Sequence, residues 1–94
     1  MKRTGYILNV WDSTNSEEDY TKEVFLDKES AIEGAVRLVT KIVEDYEDEP
    51  YTIETHPDDI DVVTARPSIP SNCFYDTRSY YRVSLVEVTV WSKD

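Results

Sequence analysis

The sequence predicts an α+β fold: an antiparallel sheet of three to five strands, in the order ββαβ(β)β, with one long amphipathic helix packed on one face. Three observations lead there. Apolar residues recur with a helical period between Ile32 and Tyr46, shorter β-rich runs stand on either side of that segment, and the run from Tyr80 to Trp91 is the richest in β-branched and aromatic residues. With 94 residues the chain is long enough for one core and too short for two, so 1–94 reads as a single domain.

The first strand is predicted from Gly5 to Trp11, where Tyr6, Leu8 and Val10 alternate with Ile7, Asn9 and Trp11. Asp12 to Asp19 has no apolar residue and reads as a hairpin loop longer than the two-residue kind, followed by a second strand from about Tyr20 to Leu26. Asp27 stands where an N-cap belongs, Glu29 falls in the first turn, and Ile32, Ala35, Val36, Val39, Ile42, Val43 and Tyr46 make one stripe. The helix is therefore predicted over about Lys28 to Glu49, stopped by Pro50.

Beyond Pro50, the alternation at Tyr51, Ile53 and Thr55 predicts a short strand, His56-Pro57-Asp58-Asp59 a turn, and Ile60 to Ala65 another strand. Pro67 and Pro70 bracket a loop reaching about Arg78. In the last strand the apolar residues Tyr81, Val83 and Leu85 are odd-numbered, whereas Val86, Val88 and Val90 are even-numbered. A period of two cannot place both sets on one face, so the sequence calls for a β-bulge near Leu85-Val86 or for two halves that face different layers.

Twenty Asp and Glu against ten Lys and Arg give a formal charge of -10. Such a field repels phosphate backbones and anionic lipid and attracts basic protein surfaces, so neither direct nucleic-acid binding nor membrane attachment is expected. The charge is also unevenly placed. Between Ile42 and Ala65 there is no Lys or Arg, while Glu44, Asp45, Glu47, Asp48, Glu49, Glu54, Asp58, Asp59 and Asp61 contribute nine negative charges; the remaining eleven acids nearly balance the ten bases.

Five of these acids fall in the last two turns of the predicted helix, where the helix dipole disfavours anions. A local rule broken without local gain points to a function at that place, and carboxylates rising ~1.5 Å per residue approach the charge density of duplex DNA. The predicted partner-binding residues are these nine acids and Tyr51, directed at a basic groove of a nucleic-acid-binding protein. Asp12, Glu17, Glu18 and Asp19 form a second acidic patch whose position relative to the first is not legible in sequence. The bland alternative is a solvated helix end that keeps an acidic protein soluble.

Tyr46, Tyr51, Tyr75, Tyr80 and Tyr81 flank or follow the block and suit an interface that takes Arg by stacking and ion pairing. Tyr46 and Tyr81 also fit apolar stripes and are assigned to the core, and Trp11 and Trp91 to packing within the sheet.

No constellation for catalysis is visible. The single histidine, His56, sits in a turn and reads as a solvated loop residue, and the single cysteine, Cys73, has no CxxC partner and reads as an inert thiol. The twelve-residue calcium-loop pattern is absent around Asp58, Asp59 and Asp61, and Gly5 and Gly34 cannot make a phosphate loop, so neither metal nor cofactor is expected. With no signal-peptide-like stretch near residue 1 and no pair of cysteines, the cytoplasm is the expected location.

The two-strand start, the junction Val24-Phe25-Leu26-Asp27-Lys28-Glu29-Ser30-Ala31, the amphipathic helix and the β tail resemble small acidic proteins of bacteriophages and mobile elements, anti-CRISPR and other anti-defence proteins among them. That resemblance, of layout, size and charge, implies a non-enzymatic inhibitor that blocks a host nucleic-acid-processing protein, in a bacterial cytoplasm, often by nucleic-acid mimicry. The competing reading is a structural or regulatory adaptor that binds a partner, or a second copy as a homodimer, through its sheet face or the edge of the final strand.

Overall fold

The computed structural model describes residues 1–14, 18–71 and 77–91. Its elements are β1 (Lys2–Asp12), β2 (Glu18–Tyr20), α1 (Lys28–Tyr46), β3 (Tyr51–Thr55), β4 (Asp61–Pro67) and β5 (Tyr81–Trp91). The strands form one antiparallel sheet in the order β2-β1-β5-β4-β3, and α1 covers one face of it. The α+β class, the helix on one face and the ββαβββ order are as the sequence predicts.

Opposed residues of an antiparallel pair share a face, so register decides what the helix covers. Leu8 and Val10 of β1, Tyr81 and Val83 of β5, and Val63 and Ala65 of β4 meet Ala31, Ala35 and Val39 of α1 in a buried core. Alanines at two successive turns let the helix lie close to the sheet. Gly34 serves the same end: a Cβ there would lie 2.4 Å from Cζ of the buried Phe25.

Phe25 also explains the second strand, which is shorter than predicted. Regular pairing stops at Tyr20, where Thr21 donates its N–H to the Leu8 carbonyl at 2.8 Å. The chain leaves the sheet and returns at Phe25, whose backbone exchanges two bonds with Tyr6. The excursion sets Phe25 opposite Tyr6, within reach of Gly34. A strand continued without a break would set it opposite Thr4. The preceding loop is shorter than Asp12 to Asp19, because Asp12 belongs to β1 and Asp19 to β2.

The helix begins as predicted. Asp27 is extended and accepts from the Ser30 N–H at 2.7 Å and the Ser30 hydroxyl at 2.9 Å, which holds its carboxyl below the usual range. It ends at Tyr46 and not at Glu49. Glu47 is already extended, with φ -114 and ψ 140, so Glu47, Asp48 and Glu49 lie outside the helix and only Glu44 and Asp45 remain in its last turn. The dipole disfavours those carboxylates within the helix, and two long-range contacts described below hold Glu47 and Glu49 elsewhere.

The β1–β5 register runs without interruption from Lys2↔Trp91 to Asp12↔Tyr81, so no bulge interrupts β5 against β1 at Leu85-Val86. The second alternative applies: Tyr81, Val83 and Leu85 face the helix, and Val86, Val88 and Val90 face the opposite side of the sheet. The register shift falls in β4, between Asp61 and Val63, which leaves Val62 buried. Val24 and Val90 close over Gly5 on the far side, where a Cβ would lie 2.7 Å and 2.9 Å from them.

Tyr81 is buried, as expected, but Tyr46 and Trp91 are 78% and 75% exposed. Tyr46 is the last helical residue, and Trp91 lies beyond the ground the helix covers, with the Lys2 ammonium 5.7 Å from its ring. Trp11 is half-buried under the Arg82 guanidinium at 4.7 Å. Among the described residues, no helix is long and apolar enough to cross a membrane.

Candidate functional site

The continuous acidic run of the sequence is divided in space. β3 turns back beside the helix, so Asp58 lies across a cleft from Lys28 and Glu29 in the first turn of α1, about 24 Å along the helix from Glu44. Glu54 is on the far face of the sheet, where it pairs with Arg66 at 3.0 Å and stands 3.9 Å from His56. Asp61 shares a small cleft with Trp11 and Arg82 on that same face. Of these three carboxylates Glu54 is the one held in an ion pair, by an Arg twelve residues away in sequence.

His56 is more than a solvated turn residue, because its ring Nε2 lies 3.1 Å from the Thr64 hydroxyl and its backbone N–H donates to the Val62 carbonyl at 2.7 Å. Cys73 and Tyr75 lie outside the described residues. Among the described residues, no group of three or more His, Cys, Asp and Glu is placed to hold a metal ion.

The helix end, by contrast, gains carboxylates. The first hairpin and the start of β5 close against it around a cleft of about 590 Å³, lined by Asp12, Asp19, Ile42, Tyr46, Glu47 and Tyr81. The two acidic patches of the sequence are thus contiguous here, through Asp12 and Asp19 on one wall and Glu47 on the other. Glu44, Asp45 and Asp48 are exposed beside it. No local signal could join the hairpin to the helix end; the β1–β5 register, which sets Asp12 opposite Tyr81, does so.

The carboxylates of this pole fall into two groups. Some are held by the fold: Glu47 accepts from the Tyr81 hydroxyl at 2.7 Å, Glu49 pairs with Arg78, and Asp12 accepts from the N–H and hydroxyl of Thr14 at 3.0 Å each. Tyr51 is half-buried, donates to the Ser79 carbonyl at 2.8 Å and lies 6.1 Å from the Tyr81 ring. Burial first, then the Glu47 hydrogen bond, raises the Tyr81 phenol to about 12, and burial with the Glu47 charge pushes Tyr51 up as well. Both hydroxyls stay protonated donors at neutral pH. The others, Asp19, Glu44, Asp45 and Asp48, are exposed to whatever approaches.

Chemically this is a surface for cations. A phenol rim with carboxylates on two walls offers a guanidinium both a ring face and ion pairs. Compared with known protein families, curated proteins and solved structures, the chain matches none of them.

Proposed function

We propose that the protein is a non-enzymatic binding inhibitor that presents this acidic pole to the basic groove of a nucleic-acid-processing protein, a host defence protein being the class the charge and layout suit. The observation that carries the reading is the convergence of Asp12, Asp19 and Glu47 on one cleft, with the exposed Glu44, Asp45 and Asp48 next to Glu47 in a stretch, Ile42 to Ala65, that holds no Lys or Arg. The partner surface is narrower than the sequence alone suggests. Glu54 is ion-paired with Arg66, and Asp58 and Asp61 line separate clefts away from this pole.

Capture of partners from a bacterial lysate by the immobilised protein at low salt, with stepwise NaCl elution, tests the reading. A nucleic-acid-processing protein should be retained, released by moderate salt and competed off by DNA or RNA. The variant carrying D19N, E44Q, D45N and D48N alters only exposed carboxylates and should retain the fold while losing that partner. Undiminished capture by it would reject the acidic pole as the binding surface.

A further inference from the structure

The molecule has a second pole. Its extents are 56 × 23 × 22 Å and its radius of gyration is 15.0 Å, against about 12 Å for a compact domain of this length. The excess is a ribbon. The helix covers β1 from Tyr6 and β5 to Leu85, while Lys2–Thr4 paired with Thr89–Trp91 extends beyond it. Isolated two-stranded ribbons are marginal in water, because neither face is covered and both edges are open.

The β5 edge of this ribbon is the longer open one. Pairing of β4 with β5 ends at Ser84, and among the described residues no strand pairs with β5 beyond it on that side. Backbone geometry fixes which groups face outward. Tyr6 and Leu8 turn their N–H and C=O groups toward the β2 side, so the alternating residues Gly5 and Ile7 bond Val88 and Val86. Leu85, Glu87, Thr89 and Trp91 accordingly point their N–H and C=O groups at the open edge, an edge rich in residues that favour strands.

We infer that two copies of this chain associate through that edge, β5 against β5 and antiparallel about a two-fold axis at Val88. One register stands out from its neighbours. With Val88 opposite itself, Leu85 pairs with Trp91 and Glu87 with Thr89 of the second copy, which uses every outward-facing group from Leu85 to Trp91 and makes about eight backbone hydrogen bonds. Val86, Val88 and Val90 of both copies then form one apolar strip on the far face. Shifting the axis to Glu87 would set that carboxylate against its own copy. Ile60, 87% exposed at the start of β4 where pairing with β5 stops, is placed to meet the arriving Trp91 of the second copy.

Charge selects the same approach. The ribbon carries Lys2 and Arg3, with Glu87 just before it on β5, whereas the acidic pole lies about 33 Å away along β1, several screening lengths at physiological salt. Two strongly acidic molecules repel least when they meet through their ribbons. The interaction does not depend on the inhibitor reading and leaves both acidic poles exposed.

Light scattering after size exclusion, on the full chain across micromolar concentrations, should give about twice the 10.9 kDa chain mass, unchanged by added salt. T89P removes an N–H that bonds nothing within the sheet and should halve that mass with the circular dichroism spectrum retained. Opposed residues of a non-hydrogen-bonded pair stand ~4.5 Å apart at Cα, within disulfide reach, so V88C in a C73S background should cross-link to a dimer under mild oxidation. A chain that stays at its monomer mass at the highest concentration, or a dimer in which V88C does not cross-link, would overturn the inference; should T89P unfold, the cross-link alone decides.

Discussion

The two ends of the molecule are built on opposite principles. At the acidic pole three elements from distant parts of the sequence close on one cleft, and the side chains there are tied by long-range contacts such as Tyr81 to Glu47 and Arg78 to Glu49. At the ribbon pole two strands run past the helix, with no strand paired to β5 beyond Ser84 on its β4 side among the described residues and alternating valines on one face. The first gathers charge on a stable base; the second is backbone left incomplete. Charge is screened by salt, whereas strand pairing is largely indifferent to it, so the two surfaces can be told apart in one experiment.

The largest effect should come from the ground between the poles. Phe25→Ala empties the space against Gly34 while keeping the backbone bonds to Tyr6, and should cost ~3–5 kcal/mol by urea denaturation. A smaller loss would mean that Phe25 is not what holds the helix to that edge. Tyr81→Phe comes next: it leaves Glu47 without its donor and should cost ~1.5–3 kcal/mol, the range for a hydrogen bond to a charged group.

The same substitution sharpens the acidic pole's pH response. Because the folded state holds the Tyr81 phenol up at about 12 against an ordinary 10.0, its contribution is complete below pH 10 and is lost as pH rises through that upper value. Stability measured from neutral pH upward should therefore fall in that window, and fall less in Y81F. An identical decline in both proteins would remove Tyr81 as its source.

Smaller and opposite in sign is the effect of Glu44→Gln with Asp45→Asn. Removing anions from the last helical turn should raise stability by ~0.3–1 kcal/mol for each change, read as a shift in denaturation midpoint, while partner capture weakens. Stability and binding moving in opposite directions would mark the charges as placed for an interaction. The smallest effect is expected at Arg82→Met on the far face, ~0.5–1 kcal/mol from the stacked Trp11, with capture unaffected.

Much of the architecture was legible because its signals are local. The 3.6-residue stripe and the Asp27 cap fixed where the helix starts, and the strands around it follow composition and turns. Its end was not legible, since the contacts that draw Glu47 and Glu49 out of the helix come from β5 and the segment before it. The shortened second strand was hidden for a similar reason: Phe25 is placed by Gly34, which lies in another element.

Read along the chain, the residues establish the kind of object this is: an α+β chain with one helix, a parity flip in its last strand and an acid-rich segment free of Lys and Arg. Those follow from periodicity and composition, which act over a few residues. Tertiary structure alone decided which carboxylates stand together. Antiparallel return of β3 carries Asp58 to the far end of the helix, and the β1–β5 register brings Asp12 opposite Tyr81. The flip in β5 likewise became two faces because β1 pairs with it without a break, which leaves Val86, Val88 and Val90 on the uncovered side of the sheet. Electrostatic fields and open edges are properties of distances through space, and those distances are set by the register of strands far apart in the chain.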